Sequence, residues 1–252
     1  MFNLKTAVLG IATGATLGAT SATACDPVHQ MEYKTTGGWF TMSINGAHLG
    51  HGGGGLIAGV QLVQNWIVSG NNVVTVDFVG DPGTISATFK LVRVCDGSAD
   101  KEILKSSTFS GRRVEAFPFQ INHAVDAEYT KAEVSDASGL MEAVEKFQRS
   151  VRSGKIDDAI LLHEPMLRDY AAQGAPIETV KDHMREMLSN DDALFAQKLV
   201  AEPVLGGRIY QVLNADFASP FHVDVQESGG SLSWNTGTYW GKYDGKWMIV
   251  AR

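Results

Sequence analysis

Ser231-Leu-Ser-Trp-Asn-Thr-Gly-Thr-Tyr-Trp-Gly-Lys-Tyr243 runs directly into Asp244-Gly245 and then into Lys246-Trp-Met-Ile-Val250, close to the end of the chain. Two runs rich in aromatic and β-branched residues therefore flank an Asp-Gly pair. A two-residue type I′ turn needs positive φ at both central residues, and Asp-Gly adopts that conformation readily. The sequence predicts an antiparallel hairpin here, and we expect the preceding helices to pack on its sheet.

Upstream of this hairpin, apolar residues recur at the spacing of one helical face: Leu140, Val144, Phe147 and Val151. Ser138 can cap the start of this predicted helix, and Gly154 can end it. A second helix is predicted over about 156–163, and we expect Pro165, just beyond it, to interrupt or kink it. A third is predicted to begin at Pro176, because proline is favoured in a first turn.

The rest of the chain has the two-residue period of strands. After the helices we predict strands over 194–202, 208–214 and 221–226. Before them, alternating segments over 38–44, 60–66, 73–79 and 84–94 are separated by turn residues, as in a small antiparallel sandwich. The predicted fold class is α+β: an N-terminal antiparallel β-sandwich, then helices on a curved sheet.

The first 24 residues have the composition of a secretory signal peptide. Lys5 is their only charge, an apolar run of small residues follows, and Ala22-Thr-Ala24 forms a cleavage site. We therefore predict a signal peptide over 1–24, a β-sandwich domain over 25–128 and an α+β domain over 129–252. The expected location is the periplasm or the extracellular space.

The charge balance of the mature chain is acidic. Removing the leader takes away Lys5 and no acid, which leaves 20 basic and 28 acidic residues and a net charge of −8. This excess argues against a nucleic-acid partner and against an anionic membrane surface.

The chain has two cysteines, Cys25 and Cys95. Export favours a disulfide between them. The alternative is that Cys25, which directly follows Ala24, is lipidated as in bacterial lipoproteins, although Ala22 stands where such proteins usually carry Leu. Lipidation would attach the protein to a membrane and leave Cys95 unpaired.

The second half resembles the NTF2-like (SnoaL-like, cystatin-like) superfamily. The matching residues are Val144 to Gly154, Asp157-Asp-Ala159, Leu162 and the final Tyr243-Asp-Gly-Lys-Trp-Met-Ile-Val250, while Lys155 replaces a frequent Asp. The resemblance implies a bent sheet wrapped around helices as a cone with a cavity at its open end. Some members are isomerases, cyclases or dehydratases, and the sheets often pair, which implies a possible homodimer.

A shorter stretch resembles the jelly-roll modules attached to many glycoside hydrolases. It comprises Ser43-Ile-Asn-Gly46, a glycine loop, Leu62 to Trp66 and Gly70-Asn-Asn72 followed by Val73 to Val76. This resemblance implies sandwich topology more than sugar binding.

Several residues could carry chemistry. His222 and Asp224 share one face of a predicted strand and could form an oriented general base, although a solvated outer face explains them as well. Ketosteroid-isomerase-like members of the NTF2-like superfamily use a Tyr and two carboxylates; by that resemblance Tyr170, Tyr210 and Asp216 are candidates. Aromatic residues near the C-terminus could line an apolar ligand pocket or form the core of the sheet: Trp234, Tyr239, Trp240, Tyr210, Tyr243 and Trp247.

Metal and cofactor sites have weaker support. His48 and His51, with His29, could bind a metal, but no third convincing ligand lies nearby, and a flexible surface loop is the favoured interpretation. The glycines at 52–55 are not followed by the residues of a phosphate loop, so we expect no cofactor. No Gly-x-Ser-x-Gly or His-Glu-x-x-His motif occurs.

The sequence therefore favours an exported, non-catalytic protein that binds a small molecule or a protein partner. An NTF2-like enzyme acting on a small apolar substrate in the cone is the alternative, with His222 and Asp224 as its acid and base. A carbohydrate-binding role for the sandwich is a further alternative.

Overall fold

The computed structural model describes residues 27–80, 86–95, 101–123, 125–227 and 230–251. The predicted leader and Cys25 lie outside these residues. Fourteen strands in antiparallel sheets and four α-helices make the described part a mixed α+β structure, as predicted. None of the helices in these ranges is both long and apolar enough to cross a membrane.

The first half contributes eight strands: β1 (Pro27–Thr35), β2 (Trp39–Ile44), β3 (Ala47–Gly53), β4 (Ile57–Leu62), β5 (Gly70–Val79), β6 (Ser86–Cys95), β7 (Lys101–Ser110) and β8 (Arg112–Ile121). They form two four-stranded sheets, with strand orders β4-β1-β6-β7 and β3-β2-β5-β8. All pairings are antiparallel.

The inner faces of these two sheets share one core. Along β5, alternate residues Val74, Val76 and Phe78 are fully buried, as the two-residue period predicts. The Phe40 ring from one sheet packs edge-on against Phe89 from the other, with ring centroids 5.2 Å apart. Aromatic burial of this kind supplies much of the stability of a small β core.

The hairpin turn predicted at Asp244-Gly245 is confirmed, and Asn45-Gly46 forms a second one. Asn45 and Gly46 have φ of 50° and 91°, and they join β2 to β3. Asp244 and Gly245 have φ of 47° and 72° in the final hairpin.

The prediction of a surface loop around His48 and His51 is wrong, because both lie in strand β3. The glycines of this strand allow close packing on β2: a Cβ on Gly53 would lie 2.7 Å from the Cα of Trp39. The glycine-rich segment that looks like a loop in the sequence is therefore a paired strand, and only glycine fits at position 53.

The second half contains four helices and six strands: α1 (Leu140–Arg152), α2 (Ile156–Leu161), α3 (Glu164–Ala172), α4 (Ile177–Leu188), β9 (Val200–Val204), β10 (Ile209–Leu213), β11 (Phe221–Glu227), β12 (Gly230–Thr236), β13 (Tyr239–Tyr243) and β14 (Lys246–Ala251). Two short 3₁₀ turns cover Glu128–Lys131 and Leu205–Gly207. One sheet has the order β14-β13-β10-β9, and β11 pairs with β12.

The helix predictions hold for α1, α2 and α4, do not include the separate helix α3, and fail in two further details. The N-cap of α1 is Gly139 rather than Ser138, and it makes no side-chain cap bond. Pro165 does not end a helix but lies in the first turn of α3, where its missing N–H costs nothing. Gly154 follows α1 with φ of 72°, as expected for a residue that ends a helix.

The predicted strand over 194–202 is shorter than expected. Leu194 forms only an isolated bridge with His222, and the paired strand β9 begins at Val200. Lys198 interrupts the extended run, because its φ is 55°.

The helices pack on the final hairpin, as expected. Trp240 of β13 lies edge-on to Phe147 of α1, with ring centroids 6.2 Å apart. The N–H of Ile249 in β14 donates a hydrogen bond of 2.7 Å to the carbonyl of Leu162 after α2. These contacts belong to a second apolar core formed by residues of the second half.

The two halves meet at a tight junction. The N–H of Leu205 donates to the carbonyl of Asn45 at 2.9 Å, so the β2–β3 turn lies against the end of β9. The ring of Trp66 packs between those of Tyr239 and Tyr129, at centroid distances of 4.1 and 5.1 Å.

This junction also extends the first core into the second half. Four buried apolar residues, one from each strand of the second half's four-stranded sheet, belong to the same cluster as the sandwich core: Val204, Ile209, Tyr239 and Val250. The predicted domain boundary implies that 25–128 and 129–252 fold independently, and this stays a prediction.

We predict that Gly46→Ala destabilises the protein more than Gly70→Ala does. Both residues have φ of 91°, so both substitutions carry the left-handed backbone cost of about 1–2 kcal/mol. A Cβ at Gly46 would also lie 3.0 Å from the carbonyl oxygen of Pro203, whereas one at Gly70 meets nothing within 4 Å. We expect an additional loss of about 1–3 kcal/mol for Gly46→Ala in urea unfolding. Equal losses of unfolding free energy in the two variants would contradict a close contact between Gly46 and Pro203.

The predicted disulfide stays a prediction, because Cys25 lies outside the described residues. Pro27, two residues further on, faces Cys95 in the β1–β6 register. This register places Pro27 beside Cys95 at the end of β6, so Cys25 is only two residues from the position that a disulfide requires.

We predict that the exported protein carries a Cys25–Cys95 disulfide. Its intact mass without reductant should be lower by two hydrogen atoms than its mass after reduction. An unchanged mass would indicate free thiols, and a mass raised by acyl chains would support the lipidated alternative.

Candidate functional site

The aromatic residues near the C-terminus lie mostly in the core. Tyr210 donates to the Ser135 carbonyl at 2.7 Å, and Trp240 Nε1 donates to the Gly237 carbonyl at 2.6 Å. Tyr239 donates to the carbonyl of His48 at 3.2 Å, and burial raises its pKa above the ordinary value. Their polar tips are thus satisfied inside the protein, and these three side chains line neither of the two cavities described below.

Trp234 differs from these three, because it lines an apolar pocket. The pocket has a volume of about 340 Å³ and lies between α3, α4 and strand β12. Its lining is predominantly apolar and combines residues from both helices: Met166, Tyr170, Pro176, Thr179, Val180, His183, Met184 and Trp234. Trp234 and Tyr170 are both candidates from the sequence, but no local pattern predicts that they meet.

The pocket follows from how α4 presents its side chains. Met184, Met187 and Leu188 face the core, whereas Val180 is only half-buried and borders the pocket. Flexible Met side chains and one indole ring make adaptable apolar walls. His183 lies at the rim, and its side chain is 46% exposed.

His222 and Asp224 do touch, as their spacing on one strand predicts. His222 Nε2 lies 3.2 Å from Asp224 Oδ1, and the Ser233 hydroxyl donates to the same carboxylate oxygen. These two bonds lower the pKa of Asp224, that of Ser233 being the stronger. The pair lies on the outer face of β11, however, with side-chain exposures of 31% and 51%, and lines neither cavity.

The three residues implied by ketosteroid-isomerase-like enzymes are not brought together. Tyr170 borders the apolar pocket, and Tyr210 lies in the core with its hydroxyl already bonded. Asp216 is exposed on a loop, where its N–H donates to Asn214 Oδ1 at 2.9 Å.

His48 and His51 form a stack with a residue from the second half. His48 Nε2 lies 3.1 Å from His51 Nδ1, and the Phe217 ring lies nearly parallel to both imidazoles at 4.6 and 5.0 Å. Burial, and secondarily the neighbouring His51, lower the pKa of His48. His29 is buried elsewhere against Phe119, and the described residues contain no group of three or more metal-ligating side chains.

A second cavity, which we call the junction groove, opens beside this histidine stack. Its volume is about 390 Å³, and both halves of the chain line it. Strands β2 and β5 contribute Thr41 and Asp77, whereas β9 contributes Glu202. No sequence motif marks these residues, because they meet only where the halves join.

His163 is a fully buried titratable residue at the start of α3. Its Nδ1 bonds the Ala159 carbonyl at 2.9 Å, and its Nε2 bonds the Thr236 hydroxyl at 2.7 Å. The carbonyl can only accept, so Nδ1 carries the proton and Nε2 accepts from Thr236. Burial lowers the pKa of His163 to about 4. This histidine is neutral and ties α3 to β12.

We predict that His163 makes the protein less stable in acid. Its pKa is about 6.5 in the unfolded chain and about 4 in the fold, so stability is complete above pH 6.5 and falls as the pH drops toward 4. His163→Gln can keep both hydrogen bonds without titrating. Between pH 7 and 4 the natural protein should lose about 3 kcal/mol more unfolding free energy than this variant. Equal losses of unfolding free energy in the two proteins between pH 7 and 4 would contradict this role of His163.

Comparison of the chain with protein-family models, with curated proteins and with solved structures finds no match. We therefore infer its function from two of its cavities, the apolar pocket and the junction groove, and from the side chains that line them.

Proposed function

We propose that this protein is exported and acts as a non-catalytic binder of a small apolar molecule, held in the pocket between α3, α4 and β12. The observation that carries this proposal is the pocket itself. A volume of about 340 Å³ lies in the range of small-ligand sites, which are mostly apolar with a few polar groups.

The lining indicates the chemistry of the ligand. Met166, Met184 and Trp234 offer apolar surface, and each is nearly fully buried. Tyr170, Thr179 and His183 place polar groups beside that surface. A ligand with an apolar body and one uncharged polar end satisfies both parts, because burying an unpaired charge here would be costly.

The resemblance to the NTF2-like superfamily is consistent with this proposal. In our interpretation the second half is an NTF2-like cone, and the pocket is its ligand cavity. The packing of α1 and α2 against the final hairpin supports the interpretation.

The alternatives have less support. An acid–base pair should line the cavity in which its substrate binds, and His222 and Asp224 do not line the apolar pocket. A sugar-binding sheet face should carry a row of exposed aromatic rings. On the outer face of the β3-β2-β5-β8 sheet, Trp39 is an exposed aromatic residue, but no such row accompanies it among the described residues.

The test measures binding of the uncharged apolar fluorophore N-phenylnaphthylamine through the change in its fluorescence. Val180→Phe fills the pocket and should weaken binding at least tenfold, because the loss of one well-packed apolar contact surface is worth about 1.4 kcal/mol or more. Val114→Phe is the matched control: Val114 is 61% exposed on β8 and does not line the pocket, so this variant should bind normally.

Unfolding curves for both variants would show whether Val180→Phe still folds. A folded Val180→Phe protein that binds the fluorophore as tightly as the natural protein would contradict the proposal. So would a natural protein that shows no saturable binding.

A further inference from the structure

The junction groove has a floor and a wall from different halves of the chain. Its floor is the outer face of β2 and β5, where Thr41 lies directly opposite Asp77 in the strand register. Its wall comes from β9, β10 and the segment that carries Phe217. It shares no lining residue with the apolar pocket, so it is a separate site.

Asp77 is the unusual residue of this groove. Its Oδ1 is buried and has no hydrogen-bond partner. The side chain also forms no ion pair with any described residue. A buried acceptor without a partner is costly, typically about 1–3 kcal/mol, and native structures usually avoid it. Asp77 therefore lines the groove as a carboxylate that no hydrogen bond or ion pair among the described residues satisfies.

The charged groups that line the groove leave a negative balance. Asp77 and Glu202 are negative and Lys198 is positive, so the exposed Glu202 and Lys198 offset each other and the net charge of −1 rests on Asp77. The lowered pKa of His48 keeps that imidazole uncharged at neutral pH. Phe217 also lines the groove; one face of its ring is stacked on His48 and His51, so a cation can approach only the other face.

Backbone strain is also concentrated here. Six non-glycine residues in the described part of the chain have positive φ, and two of them, Lys198 and Phe217, line the groove at 55° and 60°. Strained residues persist where the surrounding structure holds them, and they cluster at ligand sites. The strain supports a binding role for the groove, beyond a simple gap between the two halves.

We propose that the junction groove binds a small organic ammonium ion, whose N–H groups donate to Asp77. An ammonium is favoured over a neutral hydroxyl because it also brings a positive charge to the carboxylate, and two opposite charges attract more strongly in a partly buried site than in water. Glu202 and the ring of Phe217 give such an ion further favourable neighbours. The volume of about 390 Å³ suits a single small molecule.

The experiment measures calorimetric binding of butylamine, putrescine and lysine to the full mature chain in cacodylate buffer, which contains no amine and does not precipitate calcium. Butanediol serves as the neutral counterpart of putrescine, and calcium chloride tests for an inorganic cation. At least one amine should bind saturably, and butanediol and calcium should bind at least tenfold more weakly. Absence of amine binding, or equal binding of butanediol or calcium, would overturn the proposal.

Variants locate the site. Asp77→Asn should weaken amine binding at least tenfold while unfolding at the same or a higher denaturant concentration, because it removes the unpaired carboxylate. Asp158→Asn removes the same charge from a residue that lines neither the groove nor the apolar pocket, so it should bind amines normally. Glu202→Gln, on the opposite wall, should weaken binding too. A folded Asp77→Asn protein with unchanged amine affinity would overturn the proposal.

Discussion

The structure depends on one side chain that connects both halves, the amide of Gln211. From β10 it accepts a hydrogen bond of 3.0 Å from the N–H of His48, and it donates one of 2.8 Å to the hydroxyl of Tyr239. Tyr239 in turn donates to the carbonyl of His48. Because Gln211 is 5% exposed, each of its polar atoms has to be paired inside the protein. This triangle holds strand β3 against strands β10 and β13.

The same constraint determines where the junction groove forms. The triangle fixes β9 and β10 beside the outer face of β2 and β5, and a sheet face that would otherwise meet water becomes the floor of a groove. The apolar pocket has a different origin, because it needs only α3, α4 and β12. The two cavities therefore depend on different parts of the fold, and a change in one need not alter the other.

Local features were predictable from the sequence, and long-range ones were not. The turns at Asn45-Gly46 and Asp244-Gly245 and the alternation along β5 follow from backbone preferences within a few residues. Strand β3 was missed because its glycines have a packing role that depends on Trp39. Alternation does place Asp77 on the outer face of β5, but no local pattern shows that β9 will lie over that face.

The apolar core of the sandwich is completed by Val204, Ile209, Tyr239 and Val250, which come late in the chain. A ribosome makes the chain from its N-terminus, so the eight strands of the first half emerge before these four side chains exist. Until then the surface they will cover stays open to water, and exposed apolar surface of this kind promotes aggregation of partly made chains. The order of synthesis thus leaves the core of the first half partly uncovered until Val250 has been made, and a chain that stops before it lacks part of that cover.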